Sequence, residues 1–105
     1  MTNMNDEWTK VVYNNGYGGF GLSDEAVARI HELKDDEDFD VSVYNNMKNR
    51  TDRDLIRVVE ELGNKANSRY SKLALYDIRK GSLYRIEEYD GWEKVIEGYD
   101  DWVEA

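Results

Sequence analysis

Three glycines, Gly16, Gly18 and Gly21, follow a strand-like segment and precede a helix-like one, with Tyr17, Gly19 and Phe20 between them. Their G-x-G-x-x-G spacing formally matches the fingerprint in which bare backbone N–H groups and a helix N-terminus hold a phosphate. Ser23 suits the N-cap of the helix that follows. Arg50, Arg53 and Arg57 stand at i, i+3 and i+7, which places them on one helix face. Guanidinium forks suit phosphate or carboxylate. Tyr17 and Phe20, with Tyr13 nearby, could stack on a base. Together Tyr17, Gly18, Gly19, Phe20, Gly21, Ser23, Arg50, Arg53 and Arg57 outline a nucleotide or phosphate cradle. A complete dinucleotide fold needs two mononucleotide-binding halves, for which 105 residues are too few. The bland alternatives are a structural glycine turn and arginines paired with Asp54, Glu60 or Glu61.

A second constellation is electrostatic. The chain carries 14 Lys and Arg against 23 Asp and Glu, a net charge of −9. From residue 87 onward only Lys94 opposes eight acids. Trp92, Val95, Ile96, Tyr99, Trp102 and Val103 recur with a helical period, so a third helix is expected after Asp90. Its opposite side carries Glu93, Glu97, Asp101 and Glu104, with Asp100 beside them. Acids near a helix C-terminus oppose its dipole by ~0.3–1 kcal/mol each, a hint that the charge serves more than stability. Glu93, Glu97, Asp100, Asp101 and Glu104 are therefore the candidate contact surface for a protein with a basic face; a solvated helix face is the bland alternative. Trp92, Tyr99 and Trp102 suit a homodimer interface as well as a core. So acidic a chain is not expected to bind nucleic acid directly.

Catalysis finds little footing. Without cysteine there are no disulfides, thiolate ligands or thiol nucleophiles. His31 is the single histidine and has no serine partner at a diagnostic spacing. Asp36, Asp38 and Asp40 imitate the start of a calcium loop, but Val41 stands at its sixth position and Met47 at its twelfth. No carboxylate pair is marked by surroundings that would split its pKa values. The expectation is a non-enzyme with no metal and no cofactor. With a mean hydropathy of −0.85 and no apolar run near the ~18–20 residues of a span, no membrane association is expected, and the location expected is cytoplasmic.

The elements that must position these residues read as α+β, in one domain over residues 1–105 with a flexible segment at 1–8. Thr9 to Asn14 is β-branched and aromatic, a strand. Ser23, Asp24, Glu25 and a Leu22–Val27 staple open the first helix. Val41 to Tyr44 reads as a short strand. Thr51 caps a second helix that runs to about Asn67 on Leu55, Val58, Val59, Leu62 and Ala66. Leu73–Ile78 and Leu83–Glu87 flank Arg79–Ser82 as a hairpin. The order is β-α-β-α-β-β-α, with the helices on one face of a small sheet.

The segments Val11 to Ala26, Arg50 to Gly63 and Ile86 to Gly91 resemble a family of small, mostly uncharacterised proteins of tailed phages, large DNA viruses and prophages. The Tyr17-Gly18-Gly19-Phe20-Gly21-Leu22-Ser23 block is the most specific part. Gly16 and Arg53 depart from the cysteine and proline frequent at those places. The resemblance implies a viral accessory role in the host cytoplasm. Two expectations follow: a non-catalytic inhibitor that binds a host defence or nucleic-acid-processing protein, or a sponge that holds a nucleotide in the Gly16–Gly21 loop.

Overall fold

The computed structural model describes residues 7–98 and 103–105. Most of the segment expected at residues 1–8 lies outside that range, and Trp8 already opens a strand. The fold is α+β, with helices α1 (Asp24–Lys34) and α2 (Arg53–Leu62) and two antiparallel sheets. Strand β1 (Trp8–Asn14) pairs with β2 (Leu73–Arg79), while β3 (Leu83–Tyr89) lies between β4 (Trp92–Glu97) and β5 (Val103–Glu104).

The register of β1 against β2, with Val12 opposite Leu75 and Val11 opposite Tyr76, divides their side chains between two faces. Val12, Leu73 and Leu75 pack under the helices with Ala26, Ile30, Leu55, Val58 and Val59. Val11, Tyr13, Tyr76 and Ile78 pack the other way, against Tyr84, Ile86 and Val95 of the second sheet. The β1–β2 ribbon is thus a middle layer, which is why Val11 and Val12, neighbours in sequence, are both fully buried. Period-2 alternation cannot appear in a strand buried on both sides.

Local chemistry sets the first half. Ser23 Oγ caps α1 by accepting the Ala26 N–H at 3.1 Å and donates to the Lys65 carbonyl at 2.6 Å. Val41–Asn45 is a 3₁₀ turn rather than the expected strand. Asp40 accepts the Ser42 N–H at its start, and Tyr44 turns inward to donate its hydroxyl to Asp52 at 2.7 Å. Burial, then the Asp52 carboxylate, pushes that hydroxyl well above the usual tyrosine range. Asp52, not Thr51, caps α2 by accepting the Leu55 N–H. Gly63, at φ 54°, ends α2 at Leu62, short of the expected limit near Asn67, and a 3₁₀ turn, Gly63–Ala66, follows.

The second half departs further from the sequence reading. Segments 73–79 and 83–89 are strands, but they belong to different sheets. The Arg79–Ser82 turn carries the chain between them, with Lys80 N–H bonded to Glu7 and Gly81 N–H to Ala105. The real hairpin is β3–β4, and the expected third helix is β4 and β5 instead. Asp90 at φ 52° and Gly91 at φ 87° form the two-residue turn that places Tyr89 opposite Trp92. Two successive positive-φ residues match the twist of a tight hairpin, and Asp-Gly is its strongest sequence signal. The β4 residues of the expected helical stripe therefore alternate across a strand, Val95 facing inward and Trp92 outward.

Between the helices, Glu61 accepts from Arg29 at 2.9 Å and from Arg57 at 3.0 Å. Those hydrogen bonds pull its carboxyl from 4.5 to about 2. A carboxyl whose folded pKa is depressed contributes stability above its unfolded pKa and loses it on the way down to the folded one. Thermal unfolding followed by circular dichroism should show Tm declining as pH falls from about 4.5 to about 2. Glu61→Gln should lower Tm at neutral pH and flatten that acid limb. An acid limb of unchanged slope in the variant would remove Glu61 as its source.

Candidate functional site

The site begins with a buried ion pair. Arg50, 2% exposed, donates to Glu93, 8% exposed, through two parallel contacts, Nη1 to Oε1 at 2.7 Å and Nη2 to Oε2 at 2.8 Å. Arg50 also donates Nη1 to the Val12 carbonyl at 3.1 Å and Nε to the Tyr44 carbonyl. The Phe20 ring lies over the guanidinium, 3.6 Å from its centroid. Glu93 Oε1 accepts a further hydrogen bond from the Asn14 N–H at 2.9 Å. Fully buried Asn14 then spends its amide on Gly16 and Gly91 carbonyls and accepts the Lys72 N–H at 2.7 Å. No side-chain polar atom buried among the described residues lacks a partner.

This network clamps the glycine loop against two neighbours. A Cβ on Gly18 would stand 2.5 Å from the Tyr70 carbonyl oxygen, and one on Gly91 would stand 2.5 Å from the Gly19 nitrogen. The loop is filled by backbone contact from both sides. Outside it the chain leaves a groove of about 700 Å³ lined by residues of both sheets and of the loop. Five aromatic side chains line it: Tyr13 and Tyr76 from the middle ribbon, Tyr17 from the loop, and Tyr89 and Trp92 flanking the β3–β4 turn. Trp92 is fixed in place, its Nε1–H donating to Asn15 Oδ1 at 3.1 Å and its ring meeting Tyr17 edge-on at 4.7 Å. Tyr76 donates its hydroxyl to Glu97 at 2.5 Å, and that bond raises the hydroxyl above its usual pKa. Tyr17, Tyr89 and Trp92 are nonetheless open to solvent, Tyr89 at 79%.

Glu87, Glu88 and Lys94 complete the rim. Arg85 pairs with Glu87 at 2.6 Å, and Glu88 accepts the Gly91 N–H at 2.5 Å. Among the described residues neither Glu88 nor Lys94 has an ion-pair partner. No trio of His, Asp or Glu among the described residues is placed to hold a metal. No described helix is long and apolar enough to cross a membrane.

The residues singled out from the sequence are scattered by this geometry. Glu93, expected on an acidic surface, is buried, because β4 turns it inward onto Arg50. Glu97 and Glu104 are exposed but lie on strands at opposite edges of β3, not on one helix face. Asp100, Asp101, Tyr99 and Trp102 lie outside the described residues. Of the cradle set, Phe20 and Arg50 do meet, yet Arg50 spends its fork inside the protein. Arg57 pairs with Glu61, and exposed Arg53 opens α2. Ser23 caps α1, and Gly18 and Gly21 allow close packing, a Cβ on Gly21 meeting Ser68 Oγ at 2.6 Å; Gly19, at φ 85° with open space around it, lines a second cavity of about 410 Å³ with Phe20 and Arg50. Tyr17 alone reaches the groove. The sequence reading missed Asn14, Asn15, Tyr76, Glu88 and Tyr89, and it placed Trp92 on a helix. The Tyr89-Asp90-Gly91-Trp92 run was the signal that would have found the groove's outer wall.

Compared with protein-family models, curated proteins and solved structures, the chain matches none.

Removing one partner of a buried pair leaves the other charge uncompensated, at about 3–5 kcal/mol. Glu93→Gln should therefore lose about that much in urea unfolding. The Arg50→Met/Glu93→Leu double variant should lose clearly less than the two single losses added. Strict additivity would show that the pair is not coupled.

Proposed function

We propose that this protein acts by binding rather than by catalysis: a small acidic accessory protein that occupies, and so inhibits, a partner protein with a basic surface. The observation that carries this reading is the aromatic groove. Contiguous exposed aromatic surface is uncommon on monomers and marks contact sites. Tyr and Trp dominate the energetically central residues of interfaces because they bury large area at little entropic cost. A net charge of −9 draws basic partners and speeds their encounter. The similarity of the Tyr17–Ser23 block to viral and prophage proteins adds the accessory role, with a host defence or nucleic-acid-processing protein as target, in the host cytoplasm.

The nucleotide sponge draws less support. Its loop is packed against Gly91 and Tyr70, and the guanidinium of Arg50 is committed to Glu93. Phosphate would also meet an uncompensated carboxylate at Glu88. Acidic partner contacts move from a helix face to the groove rim and to Glu97, which holds Tyr76 in place.

Affinity capture from host extract, with quantitative mass spectrometry, tests the reading. A protein enriched by wild type should fall at least about tenfold with Tyr89→Ala, where a solvent-exposed hot spot is removed without touching the core. Arg53→Ala should retain it, and the captured protein's own activity should be suppressed by wild type. Equal capture by Tyr89→Ala would remove the groove from the interface. A nucleotide released by heat from purified protein, and lost in Gly19→Val, would instead place function in the loop.

A further inference from the structure

The groove runs along a free sheet edge. In the second sheet β3 lies between β4 and β5, so among the described residues β4 has a strand partner on one side only. Trp92, Glu93, Lys94 and Val95 all line the groove. Successive strand residues face opposite ways, so four in a row border one space along the strand's edge and not over a face. The register says which backbone groups lie on that edge. Gly98 donates its N–H to the Leu83 carbonyl at 3.0 Å, which makes those two a hydrogen-bonded pair. Such pairs alternate with non-bonded ones along an antiparallel ladder. Ile96, Lys94 and Trp92 therefore turn their N–H and C=O groups to β3, while Glu93, Val95 and Glu97 turn theirs outward. Among the described residues no backbone partner meets those three on the outward side.

The surroundings suit one more strand. The second sheet packs on the β1–β2 ribbon through Tyr84, Ile86 and Val95. A strand added beside β4 extends that layer. Its inward side chains come down on Tyr13 and Tyr76, half-buried ribbon residues that line the groove. Its outward side chains lie beside Trp92, whose indole Asn15 and Tyr17 already hold. Sheet edges are commonly blunted by proline, bulges or inward charges. This chain has no proline, β4 pairs without a bulge, and its inward charge, Glu93, is answered by Arg50.

We infer, resting on the binding reading above, that the partner protein contributes a β-strand, which pairs with the outer edge of β4 and continues the second sheet. Main-chain hydrogen bonds to Glu93, Val95 and Glu97 supply affinity, and alternate side chains supply selectivity. Apolar residues fit the inward positions, because Tyr13, Tyr76 and Val95 floor them. A second copy of this chain is the poorer occupant: two chains of net charge −9 repel, whereas a basic partner is attracted.

The test reads amide exchange by NMR on the full chain. Its probe is a synthetic octapeptide of alternating valine and threonine with lysine at each end. In the free protein the Val95 and Glu97 amides should exchange at least about tenfold faster than those of Lys94 and Ile96, which are bonded to β3. Peptide should protect Val95 and Glu97. Only every second peptide amide faces β4, so methylating the valine amides and methylating the threonine amides should differ in affinity by at least about tenfold. Val95 and Glu97 as slow as their neighbours in the free protein, no protection at millimolar peptide, or equal losses from both methylations would overturn the inference. Protection that rises with the protein's own concentration would overturn it in favour of a second copy. Partner capture lost in Tyr89→Ala but undiminished by excess peptide would sink strand pairing and leave the binding role standing. Capture indifferent to both would sink both.

Discussion

Arg50 and Glu93 stand 43 residues apart, and the layers of the molecule meet where their side chains do. Burying two charges costs several kcal/mol per ion, a loss offset only when geometry is good and every remaining donor and acceptor is used. Here the contacts are bidentate, and no buried side-chain nitrogen or oxygen among the described residues lacks a partner. One guanidinium joins a carbonyl of β1, a carbonyl of the 3₁₀ turn, a carboxylate of β4 and the ring of Phe20. The Arg50 carbonyl in turn accepts the Val12 N–H at 2.9 Å. The pair therefore sets where the second sheet lies against the first. Hydrophobic contacts supply most of the driving force but are non-directional, and they would tolerate a sliding β3–β4 hairpin. A bidentate ion pair tolerates far less.

Fixing that hairpin also fixes the groove. Asn14 holds the carbonyls of Gly16 and Gly91 together, so the glycine loop and the β3–β4 turn are tied at their backbones. Asn15, next in sequence, then reaches Trp92. Tyr17 is carried into edge contact with the same ring. Core network and surface groove meet at consecutive residues of one strand end, Asn14 buried and Asn15 exposed. The Tyr-Gly-Gly-Phe-Gly-Leu-Ser block is accounted for in the same terms. Tyr17 lines the groove, Phe20 covers Arg50, Gly18 and Gly21 permit close approach, Leu22 bridges to Asn67 and Ser23 caps α1.

The elements governed by local rules were legible. Strand β1, the glycine loop and the Ser23 cap of α1 follow from neighbours within a few residues. Segments 73–79 and 83–89 were also legible as strands, but their pairing was not. Adjacency in sequence favoured a hairpin, whereas β2 buries more by joining β1 beneath the helices. The C-terminal error has a specific cause. Trp92, Val95, Ile96, Tyr99, Trp102 and Val103 satisfy a helical period, and the Asp90-Gly91 turn contradicts it. Turn chemistry settled the conformation because both residues must adopt positive φ, which an N-cap does not require.

The sequence by itself determined an acidic, cysteine-free α+β chain, the N-cap of its first helix and a glycine-rich loop between the first strand and that helix. Those properties reside in composition and short-range spacing. Tertiary structure alone decided that Glu93 is a core partner and not a surface acid, that Arg50 is spent internally, and that Tyr13, Tyr17, Tyr76, Tyr89 and Trp92 line one groove. Each of those facts depends on segments dozens of residues apart meeting in one register. A carboxylate's role is set by what it meets, and sequence spacing along a chain does not carry that information.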